Sequence, residues 1–318
     1  MRSILAVLLA AVCFGTTGTA QALGPDAGAI SIGAARILIG GAALAAIAGI
    51  GLARRRGRGE AAPGVGRPAH RLRALPTWLL LVAGAAGVIA YQPTFFAGTS
   101  INGVAIGTVI ALGSAPVITG LLDWAVAGRR PGGAWAIATV VATLGVGMLA
   151  AAGGSSAGGD PLGILASLGA GASYAVYTIA SKELIERGWS PNGAMGGMFG
   201  LAAAGSLPIL LATDASWLAT PDGLTVALWL GLVTTTLAYV LFGAGLKGLA
   251  PATVSTLTLS EPLTASLLGL LLLHEQLTAL EWAGLATIAA GLVVLALAAS
   301  SRPPRPSEAE RTAIADPL

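Results

Sequence analysis

The chain alternates long apolar runs with short polar breaks. Ten runs stand out, at about 3–22, 28–52, 76–97, 99–122, 134–152, 162–181, 192–213, 223–246, 249–273 and 279–299. A helix needs roughly 20 apolar residues to cross the hydrocarbon core. The pattern therefore predicts an all-α membrane protein with ten transmembrane helices.

The polar breaks are of two kinds. Arg2 precedes the first run. Arg54, Arg55, Arg56, Arg58, Arg67, Arg71 and Arg73 fall in the second gap, Arg129 and Arg130 in the fourth, Lys182 and Arg187 in the sixth, and Lys247 in the eighth. Arg302, Arg305 and Arg311 follow the last run. The odd-numbered gaps hold Asp26, Asp160, Asp214, Asp222 and Glu275, and no Lys or Arg. Basic residues concentrate on the cytoplasmic side of membrane proteins, so the expectation is an even number of spans with both termini cytoplasmic, in a bacterial-type cytoplasmic (inner) membrane. The same alternation supports the close pair 76–97 and 99–122 as two spans.

Composition agrees. The chain is 55% apolar and 10% charged, with a mean hydropathy of +0.82; soluble domains average about 25% charged residues. The basic balance comes from loops without aromatic stacking platforms, so it points to anionic lipid near Arg54–Arg73 and not to nucleic acid. The basic loop, 53–75, and the polar tail, 300–318, read as cytoplasmic segments. Cys13, the single cysteine, excludes an intrachain disulfide and reads as a small packing residue. Arg2, an apolar run and small residues near Ala20 imitate a secretory signal. Cleavage there would leave nine spans, so an uncleaved first helix suits the charge pattern better.

The chain reads as two related halves, 1–152 and 161–299. Ala115-Pro116 aligns with Glu261-Pro262 at an offset of 146, and the register holds through Leu144-Gly145-Val146 against Ala290-Gly291-Leu292. Ala90-Tyr91 pairs with Ala238-Tyr239 after a two-residue slip. Five spans per half is an odd number, so the second half enters the membrane inverted: two inverted five-helix repeats, an arrangement found in secondary transporters. Gly153–Asp160 reads as the linker. Small residues at four-residue spacing (Gly41/Ala45/Gly49, Gly103/Gly107, Gly163/Ser167/Gly171/Ala175, Gly196/Gly200/Ala204) predict close helix packing, and faces of that kind also permit sliding.

Charge inside the spans is the sharpest chemical signal. Arg36 and Glu261 lie clearly within runs, at a cost of roughly 2.5–3.5 kcal/mol each at a helix centre, so each should face protein or water. Glu261 precedes Pro262, which interrupts the helix. It reads either as a substrate or proton site, or as a structural Glu bonded to a neighbouring helix. Arg36 reads as a snorkelling side chain, or as a counter-charge for Glu261 or for a substrate carboxylate. Six tryptophans sit at span ends or in loops, with Trp229 further in, which reads as an interfacial belt. The four tyrosines, Tyr91, Tyr174, Tyr177 and Tyr239, are internal. They suit either a shared cavity for an amphipathic solute or hydrogen bonding between helices. Gln92 beside Pro93 and Asn102 complete the candidate substrate-binding set, with Thr234-Thr235-Thr236 weaker because Thr commonly bonds its own backbone. His274-Glu275 lacks a second His at the right spacing and His70 is remote, so no metal site and no cofactor is expected.

These residues carry a resemblance. Ala34-Ala35-Arg36-Ile37-Leu38, Ser260-Glu261-Pro262, His274-Glu275-Gln276-Leu277, Gly284 and Ala290-Gly291 resemble the drug/metabolite transporter superfamily, specifically its EamA-like ten-helix branch, over about residues 3–299. Members typically show an Arg opening the second span, a Glu-Pro in the ninth and a Gly-Glu-x-Leu-like turn before the last. His274 stands in place of that Gly. Ala115-Pro116 lacks the first-half Glu, and Gly128-Arg129 replaces an acidic turn. The resemblance implies a secondary carrier working by alternating access, commonly exporting amino acids, metabolites or drugs. A coupling proton at Glu261 is a separate expectation, resting on one carboxylate in a low-dielectric setting. Two other classes stand beside it: a membrane-embedded enzyme acting on lipid-borne substrates, and a non-transporting membrane scaffold. An enzyme would call for clustered His, paired Asp or a nucleophile–base pair. A scaffold would not require the polar residues of spans 3, 6, 8 and 9.

Overall fold

The computed structural model describes residues 1–58, 72, 74–152, 160–274 and 276–300. The expected polar tail beyond 300, most of the Gly/Ser linker, Glu275, and residues 59–71 and 73 of the basic loop lie outside the described residues. The described residues form helices and no strand. Ten helices are long and apolar enough to cross a membrane. They are α1 (Arg2–Ala22), α2 (Ala29–Gly57), α3 (Thr77–Gly103), α4 (Ile106–Ala127), α5 (Gly133–Ala152), α6 (Pro161–Glu186), α7 (Pro191–Leu211), α8 (Pro221–Gly248), α9 (Pro251–Leu272) and α10 (Ala279–Ser300).

Local chemistry sets several helix starts. Asp160, Ser190 and Thr220 each accept a backbone N–H at the first turn of α6, α7 and α8, and each is followed by a proline at a first-turn position. A polar cap satisfies an orphan donor, and proline there has no N–H to lose. The close pair of spans divides further along than its apolar pattern suggests. α3 continues past Gly98, and the chain turns at Gly103, whose φ of 80° favours glycine. His274, after α9, has φ 54°, the left-handed conformation that glycine takes freely.

Two spans are irregular inside. α8 widens into a π-helix over Trp229–Leu237. α9 tightens into a 3₁₀ turn over Thr258–Ser260, so Pro262 falls in the first turn of a fresh helix, Glu261–Leu272. A backbone break at this depth is tolerated where it faces protein or a cavity.

Small faces pack the bundle. A side chain at Gly196 of α7 would meet the Leu44 carbonyl of α2 at 2.5 Å, and Gly41 of α2 lies against the Phe199 carbonyl. Gly200 meets Ala45. α6 lies against both α3 and α4: Gly171 abuts the Ala111 carbonyl and Ser114, and Ser167 abuts Gly98. Three expected positions do otherwise. Gly49 and Gly103 have open space, and Gly107 packs on Thr99 and Gly98 across the α3–α4 turn. α5 and α10 form an outlying pair through Gly145 and Gly291. Large apolar side chains such as Leu121, Ile137, Leu165 and Leu297 point outward, as a lipid-facing surface requires.

Charge at one end of the bundle departs from the sequence reading. Asp123 lies inside α4 and is 1% exposed, so Arg36 and Glu261 are not the only charges within spans. Arg129 bridges Asp123 (2.8 Å) and Glu186 (2.9 Å). Lys182 donates to the Leu246 carbonyl at 2.7 Å, and Arg187 donates to Glu183 and to the carbonyls of Leu72 and Leu75. These residues do more than mark a loop. They join the ends of α4, α6 and α8 through charge-assisted bonds. The tryptophan belt also needs correction. Trp217 is buried, and its indole donates to Ser31, which in turn bonds the Asp214 carbonyl.

Candidate functional site

A cavity of about 430 Å³ lies between the helices of the bundle. Its lining comes from Phe14–Gln21 of α1, Ile32–Arg36 of α2, Tyr91–Phe96 of α3, Thr108–Ala115 of α4 and Ser255–Ser266 of α9. On α1 to α4 these lie toward the helix ends at Leu23, Gly28 and Gly103, away from the Arg-rich ends. α1 is integral to the site, because Gly15 packs on Thr264 and on the Glu261 carbonyl.

An aromatic cluster forms part of the cavity wall. Tyr177 and Tyr239 share a hydroxyl–hydroxyl bond of 3.0 Å, and the Tyr174 hydroxyl pairs with Thr258 at 3.0 Å. Phe199 lies 4.1 Å from Tyr239 between ring centroids, and Phe14 and Phe242 meet the same ring edge-on. Tyr174, Tyr177 and Tyr239 all line the cavity, and their hydroxyls are satisfied between helices. Tyr91 stands apart from that cluster, stacked on Phe95 with ring centroids 5.8 Å apart.

The two charges occupy the same cavity by different means. Arg36 donates from Nε to the Thr235 hydroxyl at 3.0 Å and from Nη2 to the Thr234 carbonyl at 3.2 Å. It is therefore held by α8 and does not snorkel. Glu261 begins the second helix of α9, and its carboxylate accepts no hydrogen bond among the described residues; no ion pair joins it to Arg36 there. A carboxylate aimed at a cavity without a protein donor is placed to take a cationic or hydrogen-bonding group from a solute. Gln92 lies at the rim against Gly33.

Of the eight sequence candidates, Arg36, Tyr91, Gln92, Tyr174, Tyr177, Tyr239 and Glu261 line this one cavity. Asn102 does not. Its amide bonds the backbone of Asp160 twice, at 3.1 and 2.7 Å, clasping the end of α3 to the start of α6. Sequence reasoning passed over Phe14, Phe95 and Phe96, which line the cavity as ordinary apolar residues of their spans. It also undervalued Thr235, whose run of three threonines was the available signal. Among the described residues no group of His, Cys, Asp and Glu could hold a metal ion.

Comparisons with known proteins agree with this architecture. The pattern of the EamA-like transporter family matches residues 1–151 and 161–297. The chain is 40% identical to the uncharacterized transporter YwfM of Bacillus subtilis (strain 168) over 295 residues, covering 92% of this chain and 93% of that protein. It is 34% identical over 134 residues to an uncharacterized transporter of Archaeoglobus fulgidus, covering 42% of this chain and 47% of that protein. One solved structure, a crystal structure of a protein at 21% identity, superposes with a TM-score of 0.72 over 94% of this chain and 97% of that one. At that identity the likeness concerns the fold.

Proposed function

We propose a function from one premise: the chain belongs to the EamA-like transporter family. It is a multi-pass membrane transporter and not an enzyme. On that premise the protein works as a secondary carrier by alternating access, exporting a small amphipathic metabolite across a bacterial-type cytoplasmic membrane. The solute carries a cationic group and an aromatic or aliphatic body, as amino acids, their derivatives and cationic drugs do. One observation carries this reading: Glu261, without a protein partner among the described residues, shares a 430 Å³ cavity with Arg36 and a wall of aromatic rings. Pockets for small organic ligands run from about 300 to 1,000 Å³ with few polar groups on an apolar lining.

In this reading Glu261 takes the ammonium group and Arg36 a carboxylate where the solute has one. The rings of Tyr91, Tyr174, Tyr177 and Tyr239 hold the apolar body. Glu261 is also the place for a coupling proton, exchanged with the solute's cation. With the Arg-rich ends in the cytoplasm and both termini inside, the cavity belongs to the outer half of the membrane, and the Asp123–Arg129–Glu186 bridges close the inner side.

The two halves, 1–152 and 161–299, are inverted repeats in this account. Support comes from a reciprocal contact. Gly145 of α5 sits against Gly284 and Ile288 of α10, and Gly291 of α10 sits against Ala138 and Ala142 of α5. Each residue of the first contact lies 146 positions from its counterpart in the second, which is how the two sides of a two-fold interface relate.

The test is a thermal-shift screen of detergent-purified protein against amino acids, their amine metabolites and cationic drugs, on the wild type and on Glu261→Gln. The expected outcome is a stabilising compound whose affinity falls about 10- to 100-fold in the variant, the size of a lost charge-assisted bond. A compound that stabilises both proteins equally would take the cation-binding role away from Glu261. Uptake of the hit into inverted vesicles would then give the direction.

A further inference from the structure

The π-helix in α8 is a rare element for a span. Backbone N–H groups where it ends bond the carbonyls of Val233 and Thr235, and the carbonyl between them, that of Thr234, accepts from Arg36 Nη2 at 3.2 Å. The widened turns are pinned by side chains reaching back five residues. Thr235 donates to the Leu230 carbonyl at 2.9 Å and Thr236 to the Gly231 carbonyl at 2.9 Å. With its one proton committed to Leu230, the Thr235 hydroxyl turns a lone pair to the Arg36 Nε–H at 3.0 Å. Close packing locks the pair of helices. A side chain at Gly40, one turn beyond Arg36 on α2, would meet Thr235 at 2.5 Å and the Gly231 carbonyl at 2.6 Å.

Arg36 is thus held on two of its three nitrogens by α8, and Nη1 has no protein partner among the described residues. The Thr235 hydroxyl and the Thr234 carbonyl together fix the guanidinium plane. π-turns inside α-helices recur at functional sites, and here the turn supplies the extra carbonyl that holds a cation. We propose that Thr235 is a positioning residue that, through the π-turn, presents Arg36 to the anionic end of the solute and so sets preference for a carboxylate-bearing solute over its amine analogue. The selectivity half rests on the solute reading given under Proposed function; the positioning half stands on the hydrogen bonds alone.

Two measurements on the full-length protein separate the halves. The first is the ¹⁵N signal of the Arg36 Nε–H, assigned by its loss in Arg36→Lys. It should be resolved and slow to exchange with solvent in the wild type and in Thr235→Ser, which keeps the hydroxyl. In Thr235→Val it should merge with the solvent-exposed arginines. Thr225→Val removes a hydroxyl elsewhere on α8, one that bonds the Pro221 carbonyl, and should leave the signal in place. An unchanged signal in Thr235→Val, or its loss in Thr225→Val as well, overturns the positioning role. The second is binding of L-phenylalanine and phenethylamine, a pair differing by one carboxylate. Thr235→Val should weaken phenylalanine about tenfold and phenethylamine by less than about threefold, as expected where one charge-assisted contact is loosened. Equal weakening of both would make Thr235 merely structural for binding. If neither compound binds the wild type, the solute reading and the selectivity claim fail together, and the Arg36 signal alone decides the positioning claim.

Discussion

At the scale of single residues, the partners of each polar group separate function from scaffolding. Glu261 and Asn102 are both polar residues in apolar surroundings, yet one has no protein partner among the described residues and the other has both ends of its amide engaged. The two should respond oppositely to substitution. Asn102→Ala is expected to lower stability by about 1 kcal/mol, the usual net worth of such bonds, and to leave the affinity of any solute found in the screen unchanged. Thermal melting and binding on the same preparation check both halves. A loss of affinity would mean that the α3–α6 clasp shapes the cavity. Sequence spacing gave no way to tell these residues apart, because partnership depends on which neighbour the fold supplies.

At the scale of helices, glycine positions show where the bundle is tight and where it is free. Gly41 lies directly on the Phe199 carbonyl, and Gly49, two turns along the same helix, has no atom within 4 Å of its would-be side chain. Gly41→Leu should therefore separate α2 from α7, and since Arg36 and Gly40 lie on the neighbouring stretch of α2, it should also disturb the site. A destabilisation of about 1–3 kcal/mol or more is expected, as for overpacking generally, together with loss of binding. Gly49→Leu should melt within about 0.5 kcal/mol of the wild type, as surface substitutions do. Similar melting of the two variants would mean that α2 and α7 are looser than their packing indicates. The regular pattern of small residues announced close packing but gave both glycines equal weight.

At the scale of the whole molecule, the cavity lies toward one end and the ion-pair network closes the other. Arg129 ties Asp123 of α4 to Glu186 of α6, so Arg129→Gln breaks both ties at once. A buried carboxylate left without its partner is strongly unfavourable, and the closed arrangement should give way. With Cys13 replaced by Ala and Ser255, which is 1% exposed on the cavity wall, replaced by Cys, labelling by an impermeant maleimide from the side of the Arg-rich helix ends should quicken at least about tenfold, a shift of about 1.4 kcal/mol. An unchanged rate would take the closing role away from these ion pairs.

The ten spans, their approximate ends and the asymmetry of Arg between the two sides were all determined by the sequence. Each is a one-dimensional property: twenty apolar residues in a row need lipid, and charged breaks mark the ends, whatever the helices pack against. Arg36 and Glu261 were legible for the same reason, since a charge inside an apolar run is conspicuous whatever surrounds it in space. Tertiary structure alone decided that seven of eight candidates share one cavity while Asn102 bonds Asp160 at the start of α6. It also decided that Asp123 is a buried charge, that Lys182 and Arg187 do more than mark a loop, and that Thr235 and Thr236 pin a π-turn beside Arg36. Those outcomes depend on which helix faces which, and on backbone irregularities smaller than one turn. No period along the chain encodes them, because they arise only when α2 meets α8 and α4 meets α6 at glycine-width separations.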